Sequence, residues 1–298
     1  MSWSGVLRSV KRKSVLLSLS VLLAASLPPA RAGGRHGALI LSGAAGDSRE
    51  SFGPGVLERF VALAGGPDAN FVYIPTASSG IKLADGFIYT PPDADAPAPN
   101  TAEFERELAA IFGVRRITVL HTRSRRTADT ESFVAPLRRA GGVWLSGGNS
   151  GRLADAYLGT LTQKEIRAVF ERGGVVGGNS AGAIIQGSFI VRGRPDKPVL
   201  MARGHERGFG LLKGVAVNPH LIVARREDEL VNVIDAHPEL LGIGIDERAA
   251  ILVRGGRFEV LGDSKVAVYD DRRHGSKWYY WLGPGAVFDL RTRAVLTP

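Results

Sequence analysis

A serine flanked only by small residues stands out in Gly177-Gly178-Asn179-Ser180-Ala181-Gly182-Ala183, directly after the apolar pair Val175-Val176. Gly178 to Gly182 fits the G-x-S-x-G spacing of a nucleophile elbow. There the serine sits on a sharp strand-to-helix turn, and larger neighbours would block the turn or the substrate. The helix that follows would turn its first N–H groups toward a developing oxyanion. Gly147-Gly148-Asn149-Ser150-Gly151 ends the preceding apolar run in the same manner. Loops after neighbouring parallel strands open on one edge of the sheet, so the N–H groups of Gly148 and Ala181 are the expected oxyanion donors. The Gly147 segment matches neither the G-x-G-x-x-G nor the G-x-x-x-x-G-K phosphate loop.

A serine nucleophile needs a base and a group to orient it. Of the six histidines (His36, His121, His205, His220, His237 and His274), His220 follows a strand-like stretch in Val217-Asn218-Pro219-His220-Leu221 and is stiffened by the proline. It is the favoured base. Asp196, in Arg194-Pro195-Asp196-Lys197-Pro198, is one candidate for the acid, and Asp246 and Glu247 are others. The order Ser180, Asp196, His220 is one that recurs among hydrolases. Arg225 and Arg226 offer bidentate partners for a substrate carboxylate, or else a solvated charged surface. The chain has no cysteine, which excludes thiol hydrolases and leaves Ser, Thr, Lys or a carboxylate for covalent catalysis. No His-x-x-x-His pair with an intervening Glu is present, so no metal is expected.

The elements that must hold these residues alternate in character. Ala38 to Leu41, Phe71 to Ile74, Ile117 to Leu120, Gly142 to Leu145 and Val175-Val176 read as strands. Val56 to Leu63, Thr101 to Phe112 (Thr101 as N-cap), Ser132 to Arg139 and Thr162 to Arg172 read as helices, the last with Thr162 and Glu165 as a capping box. Apolar strands separated by helices predict a mostly parallel sheet covered on both faces. The last third differs. Ala250 to Val253, Phe258 to Leu261, Val266 to Tyr269, Trp278 to Trp281 and Ala286 to Leu290 read as short strands of an antiparallel extension. Pro91 to Pro99 reads as a surface loop.

The first 32 residues read as a secretory leader. Arg8, Lys11, Arg12 and Lys13 precede an apolar run from Ser14 to Leu27, and Ala30-Arg31-Ala32 predicts cleavage after Ala32. An exported chain (periplasmic or extracellular) with a single α/β peptidase domain over residues 33–298 is the expected organisation. The net charge of +9 comes from 38 basic and 29 acidic residues. Five of the basic ones lie in the leader, which leaves 33 against 29, so the charge is no argument for nucleic-acid binding.

In sum these segments resemble the serine peptidases comprising cyanophycinases and aspartyl dipeptidases. Gly147-Gly148-Asn149 resembles the oxyanion loop of that family, and Gly178 to Ala183 its elbow. Gly208 to Leu212 with Asn218-Pro219-His220 resembles its histidine segment, and Gly242 to Glu247 a late strand of the cyanophycinases. The resemblance runs from about Gly37 to Asp271. It implies a three-layer α/β sandwich akin to class I glutamine amidotransferases, with serine in place of cysteine. It also implies cofactor-free exopeptidase action at aspartyl residues, on cyanophycin or β-Asp-Arg type substrates or, as in the dipeptidases, on α-aspartyl dipeptides. Asp196 matches the acid of the dipeptidases best. Cyanophycinases carry Asp-Gln where this chain has Asn149-Ser150, which places these two at the substrate. They also carry Asp-Gln-His and a regular arginine pattern where this chain has Asn218-Pro219-His220 and Arg225-Arg226. The expected partner is a small peptide or cyanophycin-like substrate, with no nucleic acid and no membrane once the leader is removed; a homodimer is compatible with this. Two other functions fit the elbow: an α/β-hydrolase esterase with His274 as base, and a non-catalytic peptide-binding protein on the same scaffold.

Overall fold

The computed structural model describes residues 1, 37–83, 86–93, 99–192 and 205–296. The leader beyond Met1 (2–32), His36, Asp196 and the middle of the Pro91–Pro99 loop lie outside the described residues. The unit from Arg35 to Pro298 is compact, and no helix among the described residues is long and apolar enough to cross a membrane.

Strand β1 (Ala38–Ser42) leads through a 3-10 turn (Arg49–Phe52) into α1 (Val56–Leu63) and β2 (Phe71–Ile74). A small hairpin, β3 (Ile81–Lys82) and β4 (Ile88–Tyr89), precedes α2 (Thr101–Phe112) and β5 (Ile117–Val119). Then come α3 (Arg125–Ala128), α4 (Glu131–Arg139), β6 (Gly142–Leu145), α5 (Ser150–Tyr157) and α6 (Leu161–Glu171). The elbow joins β7 (Val175–Asn179) to α7 (Ala181–Ile184). Beyond it lie β8 (Gly187–Phe189), β9 (Leu212–Pro219), α8 (Glu229–Ala236) and β10 (Leu241–Ile245). The chain closes with β11 (Ala249–Arg254), β12 (Arg257–Gly262), β13 (Val266–Tyr269), β14 (Tyr280–Leu282), β15 (Val287–Asp289) and β16 (Ala294–Leu296).

Nine strands form the central sheet in the order β16-β15-β12-β11-β1-β7-β6-β2-β5. From β1 to β5 the strands are parallel, and from β11 outward they run antiparallel. Strand alternation sends β1 residues to two cores. Ala38 and Ile40 meet the aromatic cluster of α1 and α2, while Leu39 and Leu41 meet the residues of α4 to α7. These are the three layers the alternating pattern predicts. In the aromatic core Trp144 stands edge-on to Phe52, Phe60 and Phe112, with ring centroids 5.2, 5.0 and 5.5 Å away. Such pairs contribute about 0.5–1.5 kcal/mol each beyond area burial.

The late strands do not form one extension. β13 and β14 leave the central sheet and join β10, β9 and β8 in a second sheet, ordered β14-β13-β10-β9-β8. One face of it (Val217, Ile243, Val266, Val268) packs into the same core as Leu39, and the other is covered by Leu230, Val233 and Ile234 of α8. The two sheets touch where β1 ends beside β10. A Cβ on Gly43 would lie 2.1 Å from the carbonyl oxygen of Asp246, so only glycine permits this approach. That contact carries residues of the second sheet to the end of β7.

Local corrections follow from tertiary bonds. Thr101 is the first helical residue and Asn100 occupies the N-cap position at φ 62, a conformation asparagine tolerates better than threonine. Helix α6 starts at Leu161 after Thr160, and no capping box forms, because the Thr162 hydroxyl donates to the carbonyl of Ala128 at 2.6 Å. Trp278 and Tyr279 lie before β14 rather than in it.

Candidate active site

The elbow forms because nothing larger would fit. Ser180 has φ 50 and ψ −115, a region L-residues avoid. It is pinned from both sides: its N–H donates to Ser42 O at 3.0 Å, and its carbonyl accepts from Ala183 and Ile184 at 3.0 Å each. A Cβ on Gly182 would sit 1.9 Å from Leu145 O, so the fifth position of the motif must be glycine for α7 to pack on β6. Asn179 is buried. Its Oδ1 accepts from Trp144 Nε1 at 3.0 Å, and its amide donates to Gly46 O at 3.3 Å, which ties the elbow to the aromatic core.

His220 meets the serine directly. Its Nε2 lies 2.8 Å from Ser180 Oγ. The other ring nitrogen, Nδ1, is buried and faces Glu247 Oε1 at 3.3 Å, too poorly aligned for a full hydrogen bond. His220 itself has φ 60 and opens a tight turn over Leu221 to Arg226. Asp246 holds that turn. Its Oδ1 accepts from the Ile222 and Val223 amides at 2.9 and 3.4 Å, and its Oδ2 from Ser264 Oγ at 2.7 Å. Both oxygens of Asp246 are therefore committed to structure, and Glu247 is the carboxylate that faces the ring. Burial pushes the His220 imidazole down to about 4, the cations Arg226 and Arg192 push the same way, and Asp246 opposes them. Burial and the neighbouring Asp246 raise the Glu247 carboxyl.

Gly147 lies beside the serine, where a Cβ on it would be 3.2 Å from Ser180 Cβ. The N–H groups of Gly148 and Ala181 donate to no group among the described residues. Asn149 caps α5, its Oδ1 accepting from Gly151 N at 2.8 Å, while the Ser150 hydroxyl is buried without a partner. Arg226 is half-buried, feels the charges of Glu229 and Glu247, and reaches Pro219 O at 3.4 Å; Arg225 is exposed. The remaining described histidines are engaged elsewhere. His205 meets Asp155, His237 meets Glu239, His274 meets Asp270 and stacks near Tyr280, and His121 meets Thr76 and Pro92.

One buried carboxyl near the elbow escaped the sequence. Asp47, 6% exposed in the loop after β1, lies against Tyr73 and Asn179. Burial raises its carboxyl to about 6, and the hydrogen bonds of Tyr73 and Asn179 only partly counter this. Its Oδ1 and the Tyr73 hydroxyl have no well-aligned partner. Only its place in a glycine-rich turn after the first strand could have drawn notice.

The model of peptidase family S51 matches residues 38–261. Over 243 residues the chain is 31% identical to the cyanophycinase of Synechococcus elongatus, which covers 80% of this chain and 70% of that protein. Over 241 residues it is 27% identical to the cyanophycinase of Geminocystis herdmanii, covering 79% of this chain and 81% of the other. Among solved structures, a peptidase from an acI-B1 Actinobacterium superposes with a TM-score of 0.62 at 24% identity, over 85% of this chain and 97% of that one. That likeness shows a shared fold.

Proposed function

The chain belongs to peptidase family S51 and is a serine-type peptidase; from that premise we propose that it is an exopeptidase cutting at aspartyl residues, on cyanophycin or β-Asp-Arg type peptides. The observation that carries the mechanism is the 2.8 Å contact between Ser180 Oγ and His220 Nε2 on a strained elbow. Ser180 attacks the scissile carbonyl. His220, kept neutral by its surroundings, takes the hydroxyl proton at Nε2 and returns it to the leaving amine. Glu247, facing Nδ1, fixes the tautomer and balances the imidazolium that forms. The N–H groups of Gly148 and Ala181 receive the oxyanion, a contribution of about 3 kcal/mol per donor. The leaving amine departs with the proton, and a water repeats the cycle on the acyl-enzyme.

Glu247 takes the role in this proposal because it faces Nδ1 of His220 at 3.3 Å while Asp246 is spent on the turn. His220, and not His274, meets Ser180 Oγ, and His274 directs its Nε2 to Asp270 instead, which disfavours the esterase arrangement. The cyanophycinase relatives support the substrate class; Arg226 stands near His220 for a substrate carboxylate, with the exposed Arg225 next to it in the chain. Asn149 and Ser150 follow Gly148 directly in the chain, next to the proposed oxyanion donors. With the leader removed, the enzyme would act outside the cytoplasm.

The test compares Glu247→Gln with Asp246→Asn, Ser180→Ala and the parent, supplied with cyanophycin, β-Asp-Arg and α-Asp dipeptides and read by mass. Glu247→Gln is expected to lower kcat by about 10³-fold or more with KM held, and Ser180→Ala to abolish turnover. Full activity in Ser180→Ala, or a Glu247→Gln enzyme as fast as the parent, sinks the triad. Cleavage of the α-Asp dipeptides alone sinks the substrate class.

A further inference from the structure

Two guanidinium groups lie on the same sheet edge as the elbow without a part in the chemistry above. Arg152, in the first turn of α5, donates from Nη1 to Ala77 O at 3.2 Å. The Asn149 amide, next to Gly148, donates to the same oxygen at 2.9 Å. Arg123, beyond β5, donates from Nη2 to Ser78 O at 2.8 Å. Both arginines thus close around the turn after β2, one strand beyond the Gly147-Gly148 loop. Parallel strands lie about 4.8 Å apart, and β7, β6 and β2 are successive neighbours. The pair therefore stands roughly 10 Å or a little more from Ser180. An extended peptide advances about 3.3–3.6 Å per residue, which makes this the distance of two to three residues.

The pair is charged beyond its local needs. Arg152 meets no carboxylate among the described residues. Arg123 is largely buried, its Nε has no partner, and burial and the Arg152 charge both lower its affinity for the proton. Two like charges held together at the edge of a site cost free energy unless an anion joins them. One anion already does so in part: Asp93, itself 88% exposed, places its carboxylate on Arg123 Nη1. An exposed side chain is a partner that a ligand can displace. Tyr157, whose hydroxyl bonds Thr76 at 2.6 Å, also acts on Arg123, and His121 beside it bonds Thr76 and Pro92.

We propose that Arg123 and Arg152 form a carboxylate subsite for the peptide substrate, two to three residues from the scissile bond, which Asp93 fills when no substrate is bound. It rests on the chain being a peptidase. It would select peptides whose free or side-chain carboxylate reaches the turn after β2, and it adds to Arg225 and Arg226 on the opposite side of the serine. Guanidinium pairs suit this task because their planar forks match a carboxylate.

The test uses binding, so that it stands apart from turnover. A Ser180→Ala background is titrated with a four-residue aspartyl peptide bearing either a free C-terminal carboxylate or its amide. The acid is expected to bind about tenfold more tightly than the amide. Arg152→Gln and Arg123→Gln, added singly, should each erase most of that preference and leave amide binding unchanged, while Asp93→Asn should tighten the acid alone. Equal affinity for acid and amide, a preference that survives both arginine changes, or no binding of either peptide overturns the subsite. If an arginine variant loses its fold, the Asp93→Asn result decides: an unchanged acid-to-amide ratio there overturns it. Failure of the peptidase function shows separately, as a parent enzyme that leaves the acid peptide uncut.

Discussion

Replacing Ser180 by glycine should give a more stable protein than replacing it by alanine, the reverse of the usual order. At φ 50 and ψ −115 any Cβ is strained, and such a residue costs about 1–3 kcal/mol. The hydrogen bonds to Ser42, Ala183 and Ile184 keep the backbone there whatever the side chain, so alanine retains the strain. Both variants lose the His220 contact, which cancels in the comparison. Glycine removes the strain but returns about 0.5–1 kcal/mol as extra freedom of the unfolded chain. The balance runs from about zero to about 2.5 kcal/mol in favour of glycine, about 1 kcal/mol at its middle. For a protein of this size 1 kcal/mol moves Tm by about 2–4 °C, so the glycine variant should melt about 2–4 °C above the alanine variant. Parallel thermal and urea melts at one pH measure this, and both variants are expected to be inactive. An alanine variant more stable than the glycine variant by the ordinary difference of about 0.5–1 kcal/mol would mean that the elbow stores no strain.

Two further outcomes concern titration. Asp47 has a folded value raised from 3.8 to about 6, so the native state holds its proton longer than the unfolded chain, and stability is lost as pH rises through that window. Asp47→Asn should therefore stabilise the protein at pH 8, by up to about 3 kcal/mol, and change little at pH 3.5; a Tm gain equal at both values would refute this. His220 is depressed to about 4, so its neutral, proton-accepting form persists well below the ordinary imidazole value. The acid limb of kcat/KM should accordingly fall near pH 4, and a limb near 6.5 or above would contradict the environment described for the ring.

Much of this was written plainly in the sequence. The strand at Phe71 to Ile74, the helix at Val56 to Leu63 and the elbow at Ser180 lie where apolar spacing and small residues place them. Hydrophobic period and turn chemistry are local signals, and these elements are locally determined. The pairing of Ser180 with His220 was legible too, because a rigid proline and a preceding strand single that histidine out. The choice between Asp246 and Glu247 was not. Adjacent carboxylates look alike in a sequence, and only the Ile222 and Val223 amides reveal which one is occupied. The split of the late strands into two sheets was equally hidden, since alternation fixes which face a strand buries and not which neighbour it joins. Arg152 drew no notice because it meets the Ala77 carbonyl across 75 positions of chain.

The pairing of β1 with β11 bears on how the enzyme comes into being. Leu39 aligns with Val253, and the same strand aligns with β7 on its other side. The first of the described strands therefore waits for the eleventh before its edge is closed. Contacts between such distant positions slow folding, because the long loop must be closed before they reward it. The cleft where β1 meets β10, and with it the meeting of Ser180 with His220, is assembled late. Until His220 has emerged Ser180 has no base to meet, so a peptidase built in this order is inert through most of its own synthesis.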